Sequence, residues 1–424
     1  MCVATLRRRT LKIRVSDILV MAFFWGLLYI EPLPLGPLKL SELWKAATIL
    51  VLTALLFRRQ VPLWFLFALL FLGKSFIYTS SPYGFTDNLS MAMEIFFFPV
   101  LVLYLLRTMP KYVDWPDRLI LVSLKISLFF IFSAVPFLMG LESLHTQRDL
   151  SMWGSDSRAV TGLFASLSPA SKIFYTSTLV VAAGYSFFPQ RIAYQLIYFF
   201  SLIMGSYLVY GSFTRTGWFT YAAGLIIIAL LQQNRSRKLI ALMTLAIAAM
   251  IASFYLLQNE AFLLRLAGGA TYRTDVQIGL DALLRARIPF IFVAIDNLNG
   301  NGLPGWFLGH GVKEGTDLFK IKTGMAITSH NGTFNLLEAT GLIGLAFYLV
   351  FCGLLARALF TAFRHDPDAR ILYAVTAYTW AATFLISHGL PFYAQFALIG
   401  PMARSLLVQR KNRQANTSIH HVKR

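Results

Sequence analysis

Two residues that could carry chemistry lie at the ends of apolar runs. Arg215 lies in the segment Ser-Phe-Thr-Arg-Thr-Gly, residues 212–217, between two such runs. A charge at membrane depth is costly and tends to face a polar cavity, although an arginine can also extend to the lipid headgroups. His330 and Asn331 begin another apolar run. Imidazole suits general-base catalysis and a helix start can bind an anion, but Asn331 could also be a simple helix cap.

Further charged residues lie close to this histidine in the sequence. Glu338 follows Asn331 by seven residues, so the two fall on nearly the same helix face. A carboxylate inside an apolar run needs a partner, and it could be structural or could orient a site. The planar guanidinium group of arginine can donate two parallel hydrogen bonds to the oxygens of a phosphate or pyrophosphate. The segment before His330 contains several arginines, namely Arg265, Arg273, Arg285 and Arg287.

The composition indicates that a membrane protein positions these groups. The chain has 424 residues, of which 57% are hydrophobic and 13% charged, whereas soluble domains have about 25% charged residues. Cys2 and Cys352 give neither a disulfide framework nor a metal site. Twelve apolar runs approach the length of about 20 residues that a transmembrane helix needs: 16–33, 41–57, 61–78, 89–106, 118–140, 170–188, 191–211, 216–232, 238–258, 331–356, 370–387 and 391–408. The sequence predicts an all-α polytopic membrane protein.

The basic residues orient these spans. The net charge is +19. If the N-terminus is cytoplasmic, Lys and Arg are frequent in the inner connections, while the short outer loops 79–88 and 388–390 contain none. This is the positive-inside pattern, so we expect both termini in the cytoplasm, one membrane domain over 1–408 and a tail over 409–424. The positive net charge is then explained by the membrane topology and by contact with anionic lipid, and not by binding to nucleic acid.

One outer connection, residues 259–330 between the ninth and tenth spans, is long and polar. A loop of this length is usually functional. We predict an amphipathic helix near 273–287, followed by a Gly/Asn stretch at 297–302 and by Gly-His-Gly at 309–311. Arg215, His330 and this loop would all lie at the outer face.

Several segments, in order along the chain, resemble one enzyme family. His330-Asn331, nine residues and then Gly341-Leu-Ile-Gly344 fit the His-Asn-x9-Gly-x-x-Gly pattern of bacterial O-antigen ligases and their polymerase relatives. Other segments are similar to further parts of that superfamily: Ser-Arg-Ala-Val-Thr-Gly-Leu-Phe at 157–164, Thr-Arg-Thr-Gly at 214–217, Tyr-Arg at 272–273 and Phe-Leu-Gly-His-Gly at 307–311. The aromatic residue often found a few positions after the loop arginine is absent, and Gln277 and Ile278 stand there.

The resemblance implies a GT-C-like fold and a metal-independent, inverting glycosyltransferase in the bacterial inner membrane, with its active site on the periplasmic side and no cofactor. The donor would be a glycan on undecaprenyl pyrophosphate, and the acceptor would be lipid A-core for a ligase or a second lipid-linked glycan for a polymerase. Arg215 and Arg273 would bind the pyrophosphate, Arg158 would assist, and His330 would deprotonate the acceptor hydroxyl. The resemblance and the residue chemistry together give the predicted site: His330 and Arg215 for catalysis, and for substrate binding Arg273, Arg158, Arg265, Asn331 and Glu338.

Three alternatives remain open. The spacing after His330 favours a ligase, but an O-antigen or exopolysaccharide polymerase would use the same motifs. A transporter of lipid-linked glycans would hold ionisable groups near the midplane, such as Glu94 and Glu338, within two related halves. A structural assembly subunit would have no activity of its own.

Overall fold

The computed structural model describes a helical bundle, and its described residues are 34–35, 38–39, 43, 47, 50–51, 54, 115–139, 147–149, 158–160, 167–189, 191–256, 258, 288–311, 320, 331–386, 397–405 and 407–408. Two short antiparallel pairs accompany the helices. Strand β1 (Pro34–Leu35) pairs with β2 (Leu38–Lys39), and β3 (Gln147–Asp149) pairs with β4 (Arg158–Val160). The predicted helical class is therefore confirmed for this part of the chain.

Within the described residues, the helices follow one another in this order along the chain. They are α1 (Trp115–Ser133), α2 (Val135–Leu138), α3 (Leu167–Ala183), α4 (Ile192–Gly211), α5 (Arg215–Leu230), α6 (Arg235–Leu256), α7 (Ile288–Gly300), α8 (Gly302–Leu308), α9 (Gly332–His365) and α10 (Pro367–Ile386). Helix α3 packs against α1, α4, α5 and α10. Helix α9 packs against α10 and against α7 and α8.

Large apolar side chains are exposed on the outside of the bundle, and its interior contains buried hydroxyl side chains beside an apolar core. Ile192 is 78% exposed and Val350 is 67% exposed, whereas Thr220 and Thr376 are buried. Buried hydroxyls bond to the carbonyl one turn earlier, as Thr178 does to Phe174 O at 2.7 Å. Exposed apolar surfaces of this kind are found at protein–protein and membrane contact sites, and small polar residues at helix interfaces are common in membrane bundles.

Glycines allow the central helices to approach closely. A Cβ atom at Gly205 would lie within 3.0 Å of the Thr178 side chain, and one at Gly224 would meet Leu179 in the same way. Helices α4 and α5 therefore pack on α3 through the small-residue contacts that membrane helices favour.

Among the described residues, one helix is long and apolar enough to cross a membrane, namely α4 with its 20 residues. Helix α9 would be a second if its parts Gly332–Ala346 and Tyr348–Thr361, bent by 63°, form one span. Helix α5 is apolar but has 16 residues. The first four predicted spans lie almost entirely outside the described residues, as does the tail 409–424. The twelve spans and the GT-C-like fold stay predictions.

Three charged residues tie one end of the bundle together. Arg404 Nε contacts Asp366 Oδ2 at 2.5 Å, and its Nη1 contacts Asp117 Oδ1 at 2.8 Å. Asp366 also caps α10 by accepting the Ala369 N–H at 3.3 Å. Asp366 is the single residue between α9 and α10, and the predicted alternation of helices assigns Asp117, Asp366 and Arg404 to the same face.

Candidate functional site

The predicted site residues divide into three groups. Arg215, Asn331 and Glu338 are described with their side chains. Arg158 lies in β4, and only its backbone is described. His330, Arg265 and Arg273 lie outside the described residues, as do Arg285, Arg287 and the helix expected near 273–287.

The turn between α4 and α5 places Arg215 as the first residue of α5. Phe213 takes a left-handed backbone conformation with φ 49°, which is uncommon for a residue with a side chain. The Phe213 ring contacts both Tyr210 and Trp218, with ring centres 5.9 and 6.2 Å apart, and those two rings are also in contact. Trp218 Nε1 donates to the carbonyls of Val209 and Tyr210 at 3.1 Å each. The indole thus binds the carbonyls at the end of α4 and fixes the turn.

Hydroxyl groups hold this turn against α3. Ser212 Oγ donates to Val209 O at 2.7 Å, and the hydroxyls of Ser171 and Thr214 are hydrogen bonded to each other. A Cβ atom at Gly217 would overlap Ser171 Oγ. In the Thr-Arg-Thr-Gly segment, Thr214 therefore bonds to α3 and Gly217 makes room for it.

Arg215 itself is half-buried at the start of α5. Burial lowers the pKa of its guanidinium, but an arginine stays charged at physiological pH. The positive end of the α5 helix dipole adds positive potential beside it. The arrangement suits an anion with several oxygens, such as a phosphate or pyrophosphate.

Strand β4 lies beside this turn. The Val160 side chain is buried, and its Cγ2 would lie 3.0 Å from a Cβ atom at Gly211, the last residue of α4. The strand that contains Arg158 therefore lies next to the end of α4, and Arg215 follows that end in the sequence.

Asn331 caps α9. Its Oδ1 accepts the N–H groups of Thr333 at 2.9 Å and Phe334 at 3.4 Å. The capping interpretation of Asn331 is thereby confirmed, and His330 directly precedes the cap in sequence. A binding role for Asn331 stays a prediction.

Glu338 lies in the interior of the described bundle and is 4% exposed. Its Oε1 accepts a hydrogen bond from Asn297 Nδ2 at 3.1 Å, and Asn297 is itself 3% exposed. The partner that a carboxylate in this position requires is thus an amide from α7, in the long loop.

Two glycines bring this loop against α9. Gly341 interrupts α9 with φ 66° and ψ −171°, and Gly309 ends α8 with φ 69°. The two backbones touch, since a Cβ atom at Gly309 would lie 2.5 Å from Thr340 N and one at Gly341 would lie 2.5 Å from Leu308 N. Glycine is required at both positions for its left-handed conformation and for its lack of a side chain.

His310 takes part in the same contact. Its N–H donates to Glu338 O at 2.6 Å, and its Nδ1 accepts from Asn301 Nδ2 at 2.5 Å. No sequence pattern predicted a site role for Asn297, Asn301 or His310. The sequence did contain an indication of this contact, because the Gly/Asn stretch and the Gly-His-Gly segment supply amide side chains and glycines, which suit a tight turn packed against a helix.

The prediction for the long loop is partly corrected. It is partly helical, as expected, but α7 begins with the apolar sequence Ile-Pro-Phe-Ile-Phe-Val, so this part is not polar. The Gly/Asn stretch forms the end of α7 and the start of α8. Both helices pack on α9, because their buried face needs an apolar partner.

Helix α5 and the second part of α9 both run antiparallel to α10. Arg370, near the start of α10, donates to Leu231 O after the end of α5 at 3.1 Å. Tyr373, one turn later, donates to Leu355 O in the second part of α9 at 2.8 Å. The start of α5, with Arg215, therefore lies toward the other end of α10.

No group of three or more His, Cys, Asp or Glu side chains suitable for a metal occurs within the described ranges. No protein-family model matches the chain, and no curated protein matches it.

Proposed function

We propose that this protein is a membrane glycosyltransferase. It would transfer a glycan from undecaprenyl pyrophosphate to an acceptor at the periplasmic face of the bacterial inner membrane. The reaction that fits best is that of an O-antigen ligase, with lipid A-core as the acceptor.

The observation that carries the proposal is the contact between Gly309 and Gly341. The resemblance rests on separate short segments, two of which are Phe-Leu-Gly-His-Gly at 307–311 and the His-Asn-x9-Gly-x-x-Gly segment that begins at 330. These segments meet backbone to backbone. Segments that match a pattern by chance have no reason to be in contact, so their meeting supports one shared site.

The turn that holds Arg215 supports the donor half of the proposal. Arg215 and the first turn of α5 offer positive charge at one helix end, and the hydroxyls of Ser171 and Thr214 fix that end. In our proposal Arg215 binds the pyrophosphate together with Arg273, with Arg158 and Arg265 nearby. These cations stabilise the charge that develops on the leaving group.

The start of α9 supports the acceptor half. In the proposed mechanism, His330 removes the proton from the acceptor hydroxyl. The hydroxyl oxygen attacks the anomeric carbon as the bond from that carbon to the pyrophosphate oxygen breaks, so the configuration inverts. Undecaprenyl pyrophosphate leaves, and the proton remains on His330 until it passes to solvent.

The surface of the bundle supports the membrane location. The outward side chains of α4 include Ile192, Leu196, Phe199, Phe200 and Ile203, each more than half exposed. Such a surface is stable in contact with lipid tails and is an aggregation hazard in water. Twelve spans with cytoplasmic termini and an outer loop at 259–330 remain our proposal for the whole chain.

The test is a lipopolysaccharide gel from a strain that lacks the gene and carries wild-type protein, His330→Ala or Arg215→Ala. Ligase activity predicts lipid A-core without long chains in both variants, with glycan accumulating on the polyprenyl carrier. Core with one repeat would instead indicate a polymerase. Arg191→Ala, an exposed arginine before α4, is the matched control. Full O-antigen in the His330→Ala strain, at equal protein level, would contradict the proposal.

A further inference from the structure

Glu338 receives two hydrogen bonds from the long loop. Its carboxylate Oε1 accepts from Asn297 Nδ2 at 3.1 Å, and its main-chain carbonyl accepts from the His310 N–H at 2.6 Å. Both Glu338 and Asn297 are buried. Burying a carboxylate without a donor costs much free energy, so the bond from Asn297 is part of what makes Glu338 acceptable at this depth.

The contact lies at the interruption of α9. Residue 341 leaves the helical conformation, and this interrupts the hydrogen-bond ladder next to the Glu338 carbonyl. The loop supplies the His310 N–H at that point. Interrupted helices in membrane proteins are tolerated where neighbouring groups satisfy the backbone in this way.

The loop residues in this contact are also fixed to one another. Asn301 Nδ2 donates to His310 Nδ1, and the His310 ring lies against Gly305, where a Cβ atom would be 3.0 Å from Cε1. The end of α7, the turn to α8 and the end of α8 therefore form one block. That block is attached to α9 through Glu338.

The attachment is seven residues, about two helical turns, after the Asn331 cap. It therefore determines where the loop lies relative to the first turns of α9. His330 comes directly before that cap in sequence. A displacement of about 1 Å at a reacting group can lower a rate about a hundredfold.

We propose that Glu338 and Asn297 form a latch that positions the long loop against the start of α9, and with it His330 relative to the donor. This inference rests on the function proposed above. Glu338 is then a positioning residue rather than a ligand of the substrate. Two facts favour that role: its side chain and carbonyl are both bonded to the loop, and a carboxylate would repel a pyrophosphate.

An isosteric swap tests the latch. Glu338→Gln keeps an acceptor for the Asn297 amide, so the latch should stay closed and hydrogen exchange in 288–311 should match that of the wild type. Asn297→Asp puts two carboxylates in contact, and the latch should open. In the double variant Asn297→Asp, Glu338→Gln, the glutamine amide donates to the new aspartate, and the latch should close again.

Two readouts on purified protein are needed. The first is the steady-state kinetics of transfer from a lipid-linked glycan. We expect kcat in Asn297→Asp to fall at least about tenfold with a smaller change in donor KM, and to recover in the double variant. The second is hydrogen exchange of the amides in 288–311, which should become faster in Asn297→Asp and return in the double variant.

Asn299→Asp is the matched control. Asn299 is exposed and accepts from Trp306 Nε1 through Oδ1, an acceptor that aspartate retains, so both readouts should match the wild type. The latch is overturned if exchange in 288–311 is unchanged in Asn297→Asp, or if the double variant is no better than that single variant. Loss of activity in Glu338→Gln with unchanged exchange would overturn the positioning role and assign the charge to substrate binding. If neither the wild-type protein nor any variant transfers glycan, but exchange in 288–311 rises in Asn297→Asp and returns in the double variant, the latch stands and the proposed function fails.

Discussion

Gly309 and Gly341 face each other backbone to backbone, at the end of α8 and at the interruption of α9. Each has a positive φ, 69° and 66°, and a Cβ atom on either would lie 2.5 Å from a main-chain nitrogen of the other segment. Main-chain atoms cannot move aside as the end of a flexible side chain can. This contact joins the loop to the helix that follows His330.

Alanine at either glycine should therefore disrupt the site. The left-handed conformation alone costs of order 1–3 kcal/mol for a residue with a side chain, and the overlap adds to it. We expect Gly341→Ala and Gly309→Ala to lose transfer and to lower the melting temperature in detergent. Gly353→Ala, where a Cβ atom meets nothing within 4 Å, should retain both properties. Wild-type stability of Gly341→Ala would contradict the contact.

The arginine at the opposite end of the bundle should matter for stability rather than for chemistry. Arg404 is bonded to both Asp117 and Asp366, so Arg404→Ala leaves two carboxylates close together and without their cation. Breaking a buried pair by removing one partner costs about 3–5 kcal/mol. We expect a lower melting temperature and a lower protein level, with unchanged activity per folded molecule.

The control for Arg404 is Arg364→Ala. Arg364 is exposed and lies over the Phe360 ring at 4.2 Å, a contact worth about 0.5–1 kcal/mol at an exposed site. A stability loss as large as that of Arg404→Ala would show that net charge at this end, and not the three-residue cluster, is what matters.

Trp218 should control activity through Arg215. Trp218→Phe keeps an aromatic ring against Tyr210 and Phe213. It removes the indole N–H that donates to Val209 O and Tyr210 O. Both carbonyls keep a second donor, the Ser212 hydroxyl for Val209 O and the Phe213 N–H for Tyr210 O. Loss of the indole bonds should therefore cost about 0.5–1.5 kcal/mol, and the turn should loosen. We expect a higher KM for the lipid-linked donor, since Arg215 is proposed to bind its pyrophosphate. Phe219→Leu, at an exposed neighbouring position, should leave KM unchanged.

Arg215 should not be replaceable by lysine. A guanidinium offers a planar fork to phosphate oxygens, whereas an ammonium is a point charge on a flexible chain. We expect Arg215→Lys to recover little of the transfer that Arg215→Ala loses, measured with purified protein at equal concentration. Nearly full activity in Arg215→Lys would indicate that charge alone suffices.

The sequence was sufficient to predict the helical class and the cap at Asn331, because both depend on local residue types. Hydrophobic periodicity and capping chemistry act over one or two turns. It was not sufficient to predict that α7 and α8 pack on α9 or that Asn297 is the partner of Glu338. These contacts join residues 41 positions apart, and a pairing at that distance depends on tertiary packing. The apolar start of α7 was misassigned to a polar loop because a short apolar run does not reveal what it packs against.

The most direct test of the central claim is transfer by purified protein. The protein in detergent would be given undecaprenyl-pyrophosphate-linked glycan and lipid A-core, with and without EDTA, and both glycosylated lipopolysaccharide and released undecaprenyl pyrophosphate would be measured. We predict that the two products appear in equal amounts with wild-type protein, that EDTA has no effect and that His330→Ala forms neither. The account would be contradicted if wild-type protein formed neither product, or if His330→Ala formed both at the wild-type rate.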